Sequence, residues 1–470
     1  MEYKKINKYS NEIIILIPII YFFIIYFNFD LTPKIYTDSV GYINFDPVRT
    51  LGYPILTRIL GLDLLVLAQL IIFCMSLTLL GLQFNKVVKN LLLTSILLVL
   101  ICMTPELLEM QLSILTESFF TSLIIIIISF LIVVNFNFKL NYLILISIAV
   151  GLAAIIRPVG YGLIPVIIFF VLSNSKARDK FLISLLCILF PCLAIIGVER
   201  SAANLKFKND IDSLMPRTLF AKSSMIEDFY NPRIIEKDNF ALKLLKIQNE
   251  DAKFVRAYIS NAPSIEVKNV LTLYYEQCIQ YSCFNDEIYI NNYLTTSQKN
   301  EIILRVALRR ILNNPLPTFD LFCLHYKSLW TAYQVRHPSV VDVFNDYISK
   351  SEYIPYENAI FLVMPKKFSS FNLSIYIQPL FIFIGCATFL IALLYVLSSL
   401  LSFKTSPYFA ISGVAALIVH TEFCVTAFFG LGISRYSFVF FPVIAVSVLF
   451  TILGFREFYL TKKYQYQNFI

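Results

Sequence analysis

The chain has 470 residues, 58% of them hydrophobic and 15% charged, and its mean hydropathy is +0.71. A water-soluble fold at that balance would expose far too much apolar surface, so the composition excludes a soluble enzyme and predicts a polytopic membrane protein. The net charge of +8 does not point to nucleic acid, because the cations segregate by membrane side instead of forming one patch.

Runs of roughly 18 or more apolar residues, enough to cross about 30 Å of hydrocarbon as a helix, recur along the chain. About ten spans are predicted, centred on residues 12–29, 63–84, 90–104, 118–135, 141–157, 159–173, 181–199, 373–401, 407–429 and 437–455. The N-terminal lysines and apolar run have no small-residue cleavage site behind them, which reads as an uncleaved first span. Only "RPVGYG" separates the fifth and sixth spans, so a tight helical hairpin is expected there. A polar insert of residues 200–370 divides an N-terminal membrane module, 1–199, from a C-terminal one, 371–470. Its second half predicts two amphipathic helices broken at Asn313-Asn314-Pro315. The fold class is therefore all-α, polytopic, with one large, mainly helical insert.

Lysine and arginine set the orientation. The short segments on the side of the N-terminus hold Lys4, Lys5, Lys8, Lys86, Lys89, Lys139, Lys176, Arg178, Lys180, Lys404, Arg456, Lys462 and Lys463. Those on the other side hold only Lys34, Arg49, Arg58, Arg157 and Arg435. This bias places both termini in the cytoplasm and the insert outside it. Most of the nine cysteines lie in apolar segments; Cys278 and Cys283, in the insert, are the one spacing that suits a disulfide.

The unusual polar residues then gather on the outer face. In "TDSVGYINFDPVRTLGYP", Asp38 reads either as a helix N-cap with Ser39 or as a carboxylate at the lipid–water boundary able to accept a hydroxyl proton. Tyr42, Asp46 and Arg49 share that loop, whose pieces "VGYINF" and "YPILTRIL" could lie along the membrane surface. Glu117, in "SILTESFF", either caps the fourth span or is a second acid of the same site. Arg157 ends "GLAAIIRP" and needs an anionic partner, either Glu117, a lipid headgroup or a substrate phosphate. Arg435 and Tyr436, in "SRYSFVFFP", repeat the situation at the start of the last span. His420 and Glu422 are ionisable residues within the ninth span; at i, i+2 they face different ways. Tyr274, Tyr275, Tyr326 and Trp330 of the insert either stack on sugar rings or form local core. There is no Gly-rich phosphate loop and no nucleophile elbow, and the histidines, His325, His337 and His420, are too few for a histidine-rich metal site.

In order and spacing, "DSVGY" with "RTLGYP", "SILTESFF", "GLAAIIRP", "ALRRILNNPLPTFDLFCLHYKSLW" and "SRYSFVFFP" resemble the GT-C class of integral-membrane glycosyltransferases, which includes protein mannosyltransferases and the lipid A aminoarabinose transferase. The resemblance implies a GT-C-like fold in a bacterial inner membrane and transfer of a sugar from a polyprenyl-phosphate donor on the extracytoplasmic face. It implies a catalytic role for Asp38 and Glu117 and donor-phosphate binding by Arg157 and Arg435. Ser39, Tyr42, Arg49, Tyr436 and Glu422 become substrate-binding candidates. Asp-Ser replaces the paired acids of the protein mannosyltransferases, which favours a lipid-linked or surface glycan acceptor over a protein. No cofactor is required, although a divalent cation at the phosphate stays open. The rivals are a glycan polymerase or ligase using a diphosphate-linked oligosaccharide, and a transporter; the latter would concentrate polar residues at the midplane in repeated halves.

Overall fold

The computed structural model describes residues 2–208, 213–226, 294–331, 373–403, 405–430 and 434–467, with isolated positions from 260 to 276. Cys278, Cys283, Tyr274, Tyr275 and His337 lie outside the described residues, as does the side chain of Arg435. Among the described residues all regular structure is helical. In chain order the helices are α1 (Glu2–Asn28), α2 (Thr37–Ile43), α3 (Gly52–Val88), α4 (Leu91–Cys102), α5 (Pro105–Gln111), α6 (Thr116–Phe136) and α7 (Leu140–Ile156). A 3-10 turn, Pro158–Gly162, leads to α8 (Leu163–Ser173), α9 (Ser175–Arg178), α10 (Phe181–Phe207) and α11 (Leu214–Ser224). Then come α12 (Thr296–Asn313), α13 (Pro315–Thr331), α14 (Leu373–Leu400), α15 (Pro407–Phe429), α16 (Ser434–Phe438) and α17 (Phe441–Gln467). The chain forms two compact units, one of Met1–Lys206, Ile384–Glu422 and Phe438–Ile470, the other of Phe207–Phe383 and Phe423–Ser437.

Among the described residues seven helices are long and apolar enough to cross a membrane: Tyr9–Asn28, α3, α6, α10, Pro379–Leu400, α15 and Phe441–Leu460. The protein is an integral membrane protein. The other three predicted spans are helical but shorter. α4 bends by 62° into α5, because Pro105 bars the helical conformation at Thr104; taken together the two would make an eighth span. α7 and the Pro158–Ser173 segment each fall short of 18 residues.

In the first unit α6 is apolar on every side and buried along most of its length, with α3 and α7 packed on it. α1 and α10 instead leave Phe27, Leu186 and Phe190 exposed, as helices facing lipid do. α3 breaks at Gly61, whose φ of 70° is open to glycine and strained for other residues, so "YPILTRIL" forms a segment distinct from the span that follows. α7 and α10 are tied where Pro191 already weakens the ladder of α10. The Ser147 hydroxyl donates to the Ile188 carbonyl and accepts from the Cys192 N–H at 2.9 Å, inserting between two groups that would otherwise bond each other.

At the C-terminus of α7, Pro158 forces Arg157 into an extended conformation (φ −145°, ψ 123°), and the 3-10 turn Pro158–Gly162 leads on to α8. α7 packs chiefly on α6 and on the Pro158–Gly162 turn.

In the second unit the two amphipathic helices are α12 and α13, parted at Asn314 as the sequence indicates. Thr295 and Gln298 form a reciprocal capping box at the start of α12, and α12 packs on α11.

Candidate functional site

The site is built where the connection from α1 to α3 meets the connection from α5 to α6 in the first unit. Lys34 and the 112–114 backbone exchange hydrogen bonds, Lys34 N–H to Leu112 O at 3.1 Å and Ile114 N–H to Lys34 O at 3.0 Å. Ser39 locks this junction. Its buried hydroxyl donates to Ile114 O at 2.8 Å and accepts from the Tyr36 N–H at 2.9 Å. That commits Ser39 to positioning α2 beside the start of α6. The N-cap of α2 is Tyr36, not Asp38; Ser39 at N3 closes a capping box on the Tyr36 N–H, and Asp38 sits in the first turn.

From Asp38 a line of polar contacts runs to Arg157. Arg49 Nη2 lies 2.9 Å from Asp38 Oδ1, and Arg49 Nη1 donates to the Tyr42 hydroxyl at 3.3 Å. The guanidinium also lies over the Tyr42 ring, 4.8 Å from its centroid. Tyr42 Oη is 3.5 Å from Thr116 Oγ1, the limit of a hydrogen bond, and Thr116 donates to Glu117 Oε2 at 3.2 Å. Glu117 Oε1 closes the line on Arg157 Nη1 at 3.2 Å. Arg157 also faces the Phe120 ring at 5.9 Å. Of the readings left open for Arg157, the pairing with Glu117 is realised; Glu117 lies in the first turn of α6 while Leu115 is its N-cap.

Exposure sorts these residues. The Asp38 and Arg49 side chains are 22% and 20% exposed and Arg157 is 13%, so a ligand can reach them; Glu117, at 2%, is screened. Burial pushes the Tyr42 phenol above its ordinary range, with Arg49 opposing, so Tyr42 remains a neutral hydroxyl.

Glu422, in α15, is completely buried, and neither carboxylate oxygen has a hydrogen-bond partner among the described residues. Arg157 is near enough for its charge to act on Glu422. His420 turns away to Thr388 Oγ1 at 3.1 Å, so the two ionisable residues of "VHTEF" serve different neighbours. The structure therefore brings Asp38, Tyr42, Arg49, Glu117, Arg157 and Glu422 into one unit. Arg435 and Tyr436 fall on α16, in the other unit.

Sequence reasoning passed over the residues beneath the site. Gln69 Nε2 donates to Gln111 O at 2.9 Å and Ser113 O at 3.0 Å, while its Oε1 accepts from Tyr53 at 2.7 Å. Ser118 donates to Gln111 Oε1 at 2.6 Å. These bonds satisfy the bent backbone between α5 and α6, which would otherwise be buried with unpaired carbonyls. The available signal was an amide, Gln69, inside an otherwise apolar stretch of α3. Among the described residues no group of three or more His, Cys, Asp or Glu side chains is placed to hold a metal ion.

No protein-family profile matches the chain, and neither a curated protein nor a solved structure matches it.

Proposed function

We propose that the protein is a membrane glycosyltransferase. It moves a sugar from a polyprenyl-phosphate donor to a lipid-linked or cell-surface glycan at the extracytoplasmic face of a bacterial inner membrane, with both termini cytoplasmic. The observation that carries this reading is the line Asp38–Arg49–Tyr42–Thr116–Glu117–Arg157, in which a reachable carboxylate and a reachable guanidinium share one polar network beside apolar helices. The lysine and arginine bias supports the outer face, and the motif resemblance supports the chemistry.

In this mechanism the acceptor hydroxyl attacks the anomeric carbon as the bond to the phosphate oxygen breaks, with inversion. Asp38 accepts the hydroxyl proton, and Arg49 fixes its carboxylate. Arg157, held by Glu117, faces the negative charge that grows on the leaving polyprenyl phosphate. Arg435 shares that role on the resemblance alone. Glu422, completely buried near Arg157, backs that guanidinium from α15 and acts on the donor only through it. A divalent cation, if one takes part, would accompany the phosphate.

The test is transfer of label from a polyprenyl-phosphate sugar to glycan in membranes holding the wild-type protein. A new glycosidic bond is expected, and its formation should weaken in Arg157→Ala through a raised KM for the donor. Movement of labelled lipid without a new bond would replace this reading with transport; use of a diphosphate-linked oligosaccharide alone would replace it with a polymerase or ligase.

A further inference from the structure

We propose that Glu199 is a positioning residue of this site: it caps α3 from a different helix and thereby fixes the segment that carries Arg49. The inference deepens the transfer reading and rests on it for its catalytic consequence.

The argument begins with a deficiency. The residue at the N-cap of α3 is Leu51, whose side chain cannot accept a hydrogen bond, and no side-chain cap is present locally. The acceptor comes from α10. Glu199 Oε1 takes the Leu51 N–H at 2.8 Å, and the Glu199 side chain is almost fully buried. A carboxylate at that place also suits the positive end of α3.

The bond belongs to a row of four consecutive restraints. Arg49 is held by Asp38 and Tyr42. Thr50 Oγ1 donates at 3.2 Å to the carbonyl of Ile156, the residue before Arg157. Leu51 is held by Glu199. Gly52 lies so close to α7 that a Cβ there would be 2.6 Å from the Ile155 carbonyl oxygen. Arg49 and the end of α7 are thus pinned within one short stretch, and α10 is already locked to α7 through Ser147. Releasing Leu51 would loosen the register between Asp38 and Arg157 without removing any group that touches substrate.

The test uses the full chain in lipid nanodiscs. Glu199→Ala should speed amide exchange of the 49–53 peptide and lower kcat about tenfold, with a smaller change in donor KM. Glu199→Gln keeps the acceptor oxygen and should restore both readouts to within about threefold of wild type. If Glu199→Ala does not fold, Glu199→Asp, with its carboxylate withdrawn by one carbon, should show the same faster exchange and lower kcat. Wild-type exchange and turnover in the folded Ala or Asp variant, or a Gln variant as impaired as Ala, would overturn the proposal. A wild-type protein with no transferase activity would overturn the transfer reading alone, because the exchange measurement still decides whether Glu199 holds Leu51.

Discussion

Two ionic clusters among the described residues differ chiefly in access. In the first unit, Asp38, Arg49 and Arg157 keep between 13% and 22% of their side-chain surface. In the second unit, Lys222 Nζ lies 2.9 Å from Glu276 Oε1 and His325 Nε2 lies 2.5 Å from Glu276 Oε2, with no member more than 7% exposed. Three ionisable groups withdrawn from water and closed on one another can receive no substrate. Such a triad ties α11 and α13 to one another through Glu276, whereas charges left partly exposed at a loop junction keep capacity for a ligand. Burial alone is therefore a poor guide to function; what separates the clusters is whether a group retains an approach.

The largest expected effect breaks the open cluster. Asp38→Asn preserves shape and removes the proton acceptor, so kcat for transfer should fall by about 10² to 10⁴. The fold should be untouched, and the chain supplies a probe for that in the second unit: Trp330 is its only tryptophan and is buried on α13 against Phe423, ring centroids 5.0 Å apart. Unchanged Trp330 emission with lost transfer would place Asp38 in the chemistry. Retained transfer would show that the pair with Arg49 is only structural.

Glu276→Gln makes the converse cut. It leaves Lys222 without its carboxylate in a dry interior, an arrangement that costs about 3–5 kcal/mol when a buried pair loses one member. Denaturant or thermal melts followed at Trp330 should shift by that amount. A shift below about 1 kcal/mol would mean that water reaches Lys222 and that the two clusters are not different in kind.

How much of this contrast was legible in the sequence follows from what sequence can encode. The helical, membrane-spanning class was legible because length and hydropathy act locally, and the α12–α13 break because Asn313-Asn314-Pro315 is a local signal. Asp38, Glu117 and Arg157 were legible as charges beside spans, the first two with helix capping as a rival local reason. Their pairing was left open, and Arg49, read as a substrate-binding candidate, is held by Asp38 and Tyr42. Gln69, Glu199 and the Lys222–Glu276–His325 triad were passed over, because each gains its meaning from a partner far away in the chain. Ser39 was read as a substrate contact or, with Asp38, a cap; it does cap the Tyr36 N–H, while its hydroxyl proton goes to the Ile114 carbonyl, a partner that only the fold supplies.

Acidification should sharpen the contrast with a smaller effect. Burial, opposed by Glu276, holds His325 below its ordinary value of 6.5. Burial pushes Glu276 upward, but His325 and Lys222 outweigh it and leave the carboxyl below 4.5. Both groups are depressed in the folded state, so the unfolded chain binds more protons as pH falls. Their stabilisation is complete above the ordinary values and is lost on acidification, first below about 6.5 through His325 and then below about 4.5 through Glu276. Burial also lowers Lys222, which gives the same sign on the alkaline side, with stability rising toward 10.5. Melts at Trp330 between pH 7.5 and 5 should show the first loss, and His325→Gln should flatten it. An equally steep slope in that variant would move the titration to another group.

The smallest effect tests the joint between the two halves of the open cluster. Tyr42 connects the Asp38–Arg49 pair to Thr116 and Glu117 through its hydroxyl alone, while its ring packs edge-on against Tyr53 with centroids 5.1 Å apart. Tyr42→Phe keeps that ring contact and the face offered to Arg49 but deletes the oxygen between them. The Thr116 contact is long, so the loss should resemble one ordinary hydrogen bond, about 0.5–1.5 kcal/mol, read as a two- to tenfold fall in kcat/KM. A fall as deep as that of Asp38→Asn would mean that Tyr42 itself moves the proton. The raised phenol argues against that, because a hydroxyl kept neutral by burial can donate to a neighbour far more readily than it can serve as a base.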